Sequence, residues 1–137
     1  MFAAARDVER WPEILAHYRW VRLLEPRPGG ALVEMAAWRP FGPLRYPTWW
    51  VSEMRVEPDA ATIRYRHVRG ITAGMDVAWT LRANGAGVEV TVSHDWRGPA
   101  WPLIGAVAAA VVIGPVFVHG IASRTLAGLR RHLEAAA

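Results

Sequence analysis

The sequence contains no cysteine. That excludes disulfides, thiol catalysis and thiolate metal sites. It contains no lysine either, since all 16 basic residues are arginine. Schiff-base chemistry and a phosphate-binding P-loop lysine are thereby excluded. Glutamine is absent and the single asparagine is Asn84. No Gly-rich motif joins a strand to a helix, which argues against a nucleotide cofactor. Ser93 and Ser123 lie in no nucleophile elbow. The histidines show no HxH or HxxxH spacing. His67, His94 and His119 could converge, but without such spacing or alternating carboxylates no metal is expected, and no other cofactor.

What is present is an ordinary globular composition, 53% hydrophobic and 20% charged over 137 residues. It predicts one domain spanning 1–137, long enough to bury about two thirds of its unfolded surface. The net charge is +4, but the arginines are scattered from Arg6 to Arg131 with no run longer than Arg130-Arg131. Scattered arginines read as solvated faces rather than a nucleic-acid patch. The eight tryptophans are more unusual, because indoles are costly to expose and large enough to shape a pocket. Met1-Phe2 is followed at once by Arg6, Asp7, Glu9 and Arg10, which is no signal peptide, so a cytoplasmic protein is expected. Residues 98–123 carry no Asp, Glu, Lys or Arg, a stretch long enough to cross a bilayer. Gly114-Pro115 at its centre argues for a kinked, core-covering helix instead. Its outer face could also rest on a membrane surface or a partner.

Patterning predicts a short helix over 2–10 and a second opened by Trp11-Pro12. Strands follow over 18–27, 31–38, 44–56, 61–69, 75–83 and 88–96, separated by turns such as Pro28-Gly29-Gly30 and Asn84-Gly85. A long helix is expected from Pro99 to about Glu134. This order argues an α+β fold, a curved antiparallel sheet with the helix laid across it. Parity places Ile63, Tyr65, His67, Met75, Val77, Trp79, Val92, His94 and Trp96 on one sheet face, and charged residues on the other. The inward residues are large, whereas the helix is rich in Ala and Gly around Gly105 to Gly114. Two readings stay open: an internal cavity, or a tight core in which small residues complement large ones.

Several motifs together resemble the START / polyketide cyclase–dehydrase (SRPBCC) superfamily. They are Asp7-Val8-Glu9-Arg10-Trp11-Pro12-Glu13, Trp49-Trp50-Val51-Ser52, the Trp79 and Trp96 strands, and Ile121-Ala122-Ser123-Arg124-Thr125-Leu126 before Leu129. The front motif, with Tyr18 seven residues after Trp11, is most similar to bacterial aromatic polyketide aromatase/cyclases. The resemblance implies the helix-grip fold, with about six strands wrapped around the C-terminal helix. Two departures stand out. The family's first strand would precede the helix at Phe2: either the start site is misassigned, or the protein manages with six strands and an exposed sheet edge that a second copy could cover as a homodimer. The inward Arg four residues after the matching Trp is Met54 here, and parity sends Arg55 to the wet side.

The resemblance and the parity together single out Tyr18 and His67 as acid/base candidates: a hydroxyl to donate to a carbonyl, an imidazole to abstract a neighbouring proton. Trp11, Trp50, Ser52, Met54, Tyr65, Met75, Trp79, His94, Trp96, Val112, Val116 and His119 are the expected ligand contacts. Each has a plainer reading as a satisfied core residue. Three functions compete. One is a polyketide aromatase/cyclase that holds a poly-β-ketone chain for aldol cyclisation and dehydration. Another is a carrier of a lipid, quinone or pigment. The third is a protein-interaction module, which a cavity under roughly 300 Å3 would favour.

Overall fold

The computed structural model describes residues 1–41, 43–70, 72–85, 87–96 and 121–136. The chain opens with α1 (Phe2–Arg6), a 3-10 turn (Val8–Arg10) and α2 (Trp11–Ile14). Six strands follow: β1 (Tyr18–Arg27), β2 (Gly30–Phe41), β3 (Leu44–Glu57), β4 (Thr62–Gly70), β5 (Asp76–Asn84) and β6 (Gly87–Asp95). The last described element is α3 (Ser123–Ala136). The central part of the helix expected from Pro99, with its Gly114-Pro115 kink, lies outside the described residues.

The strands form one antiparallel sheet in the order β1-β2-β3-β4-β5-β6. Each strand pairs with its neighbour in sequence because the connections are short. The β1–β2 turn shows how the sequence sets the register. Gly29 has φ +72°, a left-handed conformation that glycine adopts without strain. A Cβ on Gly30 would fall 1.8 Å from the Met54 carbonyl oxygen, so β2 enters beside β3 only because that side chain is absent. The register shift between Val51↔Arg69 and Ser52↔His67 places the extra residue, Val68, on β4 and so does not invert β3. Trp50 and Met54 remain buried and Arg55 remains exposed, opposite Arg64.

The core lies on one face of the sheet, where Val33, Met35, Trp50, Ile63, Tyr65, Val77, Trp79 and Leu81 are buried. The N-terminal segment covers part of that face. The single helix expected over 2–10 is interrupted at Asp7, whose φ −85° and ψ 64° are not helical. The tighter 3-10 turn that follows has a period near three. That keeps Ala5, Val8 and Trp11 in one line against the sheet, and all three are buried. Helix α3 brings Thr125, Gly128 and Leu129 to the same core. A Cβ on Gly128 would sit 2.3 Å from Leu15 Cδ2, so α3 lies directly against the end of α2. The inward face of β6 is less covered than parity predicts: Val88 is exposed, and Val90, Val92, His94 and Trp96 are half-buried.

Candidate functional site

Between the sheet and α3 lies an aromatic lumen of about 40 Å3. It is lined by Trp11, Tyr18, Met35, Trp50, Tyr65, His67, Val77, Trp79, His94, Ile121, Ala122 and Thr125. The rings are locked against one another. Trp11 meets Tyr18 edge-on at 5.2 Å between centroids and tilts against Trp79 at 5.6 Å. The His67 ring lies parallel to Trp50 at 5.8 Å. The Trp11 indole N–H, which burial would otherwise orphan, donates to the Ala4 carbonyl at 3.1 Å.

The polar groups are arranged in two sets. In the first, Tyr18 Oη lies 3.4 Å from Thr125 Oγ1, and His17 Nε2 lies 3.0 Å from the same oxygen. Thr125 Oγ1 also donates to the Ile121 carbonyl at 2.9 Å, one turn back along the chain. In the second set, His67 Nδ1 lies 2.7 Å from Thr72 Oγ1, and both residues are buried. Tyr65 differs from both. It is 6% exposed, and among the described residues its hydroxyl has no hydrogen-bond partner.

Burial dominates the electrostatics of the lumen. It drives the Tyr18 phenol well above its ordinary range, partly offset by the Thr125 hydroxyl. It drives Tyr65 upward too, helped by the proximity of Tyr18. Both therefore stay protonated and can act only as neutral donors or acceptors. Burial, with His94 nearby, lowers His67 to about 3. His17 is lowered to about 4 by burial and then by Arg124. His94 is lowered by burial. A neutral imidazole of pKa about 3 is a poor general base at neutral pH, so the lumen is better equipped to position a ligand than to move its protons.

Of the residues selected from sequence, Trp11, Tyr18, Trp50, Tyr65, His67, Trp79 and His94 converge on the lumen. Ser52 is fully buried but does not line it. Met75 is buried beside His67, with its carbonyl accepting the His67 backbone N–H at 2.9 Å. Met54, opposite Tyr65 on β4, does not line the lumen and instead borders an open groove of about 450 Å3 with Val8, Leu23 and Gly30. Trp96 stands aside, its indole N–H donating to the Ala73 carbonyl at 3.3 Å. Val112, Val116 and His119 lie outside the described residues. Sequence reasoning missed Met35, Thr72 and Thr125. The two threonines hold His67 and Tyr18, and a hydroxyl in an otherwise apolar stripe was the available signal. A larger hollow of about 840 Å3 is lined mainly by the charged outer residues Arg27, Glu53, Arg55, Arg64, Arg66 and Asp76. It shares Tyr65, Val77 and His94 with the lumen, but Trp11, Tyr18, Trp50, His67 and Trp79 line the lumen alone.

Among the described residues, no group of three His, Asp or Glu side chains could hold a metal ion. No described helix is long and apolar enough to cross a membrane.

The sequence profile described as polyketide cyclase / dehydrase and lipid transport matches residues 1–116. The chain belongs to this family. The six-stranded sheet, the short N-terminal helices and the C-terminal helix are its helix-grip fold. Solved structures agree. TTHA0849 from Thermus thermophilus superposes with TM-score 0.79 at 16% identity, covering 99% of this chain and 88% of that one. The Zhui aromatase/cyclase from Streptomyces sp. R1128 gives 0.75 at 19% identity, with the same coverage. The di-domain ARO/CYC StfQ of the steffimycin biosynthetic pathway gives 0.61 at 21% identity, covering 97% of this chain and 41% of that one. No curated protein matches the sequence.

Proposed function

We propose that this polyketide cyclase-family chain binds a small, oxygen-bearing aromatic molecule of the polyketide type in the lumen and guides its aldol cyclisation and dehydration. The observation that carries this reading is the Tyr65 hydroxyl, buried among indoles and without a partner among the described residues. An unsatisfied buried hydroxyl costs about 1–3 kcal/mol. A ligand carbonyl or phenol oxygen placed against it recovers that cost, and the surrounding rings supply the apolar burial. The aromatase/cyclase relatives support the same ligand class.

At about 40 Å3 among the described residues the lumen holds a water-sized occupant, a size below the roughly 300 Å3 mark and thus one that favours the protein-interaction module. A bicyclic ligand enters only as the ring walls yield, so association is expected to be slower than roughly 10^5 M-1 s-1. Once inside, the chain's work is conformational. In the aldol step an α-carbon loses a proton to solvent, its electron pair forms the new C–C bond to a ketone carbon, and the ketone oxygen takes up a proton from solvent. Dehydration removes a second α-proton and expels that oxygen as water. Tyr65 and Tyr18 would hold the accepting oxygen, and the tight walls would keep the two carbons in contact. His67 would contribute as a positioning imidazole stacked on Trp50.

A second reading, a non-catalytic carrier, is favoured by two observations: the His67 imidazole stands at about 3, and Met54 replaces the family's inward arginine. The two are separated by combining binding with turnover. In titrations followed by tryptophan fluorescence, Tyr65→Phe should weaken 2-naphthol binding about tenfold and leave naphthalene within twofold. Equal effects on both ligands would remove the hydroxyl from the reading. With a poly-β-ketone substrate, Tyr18→Phe and His67→Ala should each lower turnover without abolishing it, while 2-naphthol still binds. Wild-type protein that binds but never turns over is a carrier.

A further inference from the structure

The outer face of β1–β3 carries a feature unrelated to the lumen. The Arg22 guanidinium lies 5.0 Å from the Trp20 ring centroid, and Arg19 lies 4.6 Å from the same ring. Arg19 also lies 4.8 Å from Trp38, and Arg45 lies 4.5 Å from Trp38. The result is an alternating stack, Arg22–Trp20–Arg19–Trp38–Arg45, running across three strands. Register explains it. Trp20 and Trp49 flank Ala36 on the outward side of the sheet, and Ala36 is completely buried although it points outward. Among the described residues the acidic group on this stack is Glu34, which accepts from the Trp20 indole N–H at 3.1 Å and pairs with Arg22 at 3.4 Å. Arg19, Arg45 and Trp49 are exposed, and Leu44, next to Arg45, is 70% exposed.

We propose that this plateau is a docking surface for an anionic phospholipid bilayer. The chemistry of the stack selects that partner. Indoles favour the headgroup depth of a membrane. Guanidiniums are weakly hydrated and attract anionic headgroups at short range. Leu44 and Trp49 add apolar groups that could enter the acyl boundary. The net charge of +4 has the complementary sign. Nucleic acid fits less well, because both Trp20 and Trp38 already carry two guanidiniums over their rings, which leaves little room for bases to stack. This inference is independent of the ligand proposed for the lumen.

The test is flotation of the full chain with phosphatidylcholine vesicles, with and without about one third phosphatidylglycerol. The expected result is about hundredfold tighter association with the anionic vesicles, lost at high salt. The Arg19→Gln/Arg45→Gln pair should lower it at least tenfold, with its far-UV spectrum and melting curve unchanged. Should that pair unfold, wild-type protein in the presence of excess free glycerophosphate keeps the question open to refutation. Free headgroup that competes fully means an isolated phosphate site rather than a bilayer surface. Equal binding to both vesicles, no binding to either, or binding of an oligothymidylate in place of vesicles overturns the proposal.

Discussion

Lowering the pH should unfold this protein through its buried histidines before the carboxylates titrate. His67 is the clearest case. It is 4% exposed, stacked on Trp50 and held at Thr72, and burial with His94 nearby lowers it to about 3. A histidine in the unfolded chain titrates near 6.5. The folded-state value is depressed, so the native state refuses a proton that the unfolded chain accepts. Its stabilisation is complete above about pH 6.5 and is lost as the pH falls towards 3. Between pH 6.5 and 4.5 the loss from His67 alone is about 2 kcal/mol. That is a large part of the roughly 5–15 kcal/mol expected for a domain of this size. His17 and His94, also depressed, act with the same sign in the same window. The assay is urea unfolding at half-unit pH steps from 7.5 to 4.5, on wild type and His67→Phe. The variant loses the Thr72 bond and so some stability at pH 7, but the slope is the readout. It should flatten by about 1.4 kcal/mol per pH unit, the signature of one proton. Parallel slopes would refute the claim that His67 is neutral because it is buried.

Four further outcomes follow from the packing. Tyr65→Phe deletes a buried hydroxyl with no partner among the described residues, so it should raise the melting temperature, by about 4 °C for about 1 kcal/mol, where most core changes lower it. Gly128→Ala gains about 1 kcal/mol of helix propensity but meets Leu15 at 2.3 Å, where overpacking costs about 1–3 kcal/mol. Leu15→Ala in the same chain should relieve that clash, and a double-mutant cycle with no coupling energy would disprove the contact. Gly30→Ala drives a Cβ into the Met54 carbonyl rather than a flexible side chain, and calorimetry should show a loss of several kcal/mol. Thr125→Val removes the oxygen shared by Tyr18, His17 and Ile121, and should cost about 1–3 kcal/mol in urea unfolding.

Most of the sheet was legible in the sequence because one of its faces is wet. Where Ile63, Tyr65 and His67 alternate with Arg64 and Arg66, period-two patterning fixes both strand and orientation. Turn glycines fixed the ends, as at Gly29. The N-terminal segment was less legible, since Asp7 interrupts a pattern that the spacing of Ala5, Val8 and Trp11 makes look continuous. The outward placement of Trp20, Trp38 and Trp49 was not legible from strand parity alone, and only the β1–β2–β3 register puts them outside. The site was legible in its rings and illegible in its polar anchors. Tyr18 and Thr125 are 107 positions apart, and no local pattern reveals that their hydroxyls meet. Nor does composition reveal whether a buried hydroxyl such as that of Tyr65 has a partner.

Ligand binding in this protein requires occupancy of the space walled by Trp11, Trp50 and Trp79. Nuclear Overhauser contacts in a saturated 2-naphthol complex measure it most directly. They should connect the naphthol ring protons to those three indoles and to the Tyr65 ring, with no contact to Trp20 or Trp38. A ligand seen only by the outer tryptophans, or no contact at saturating concentration, would contradict it.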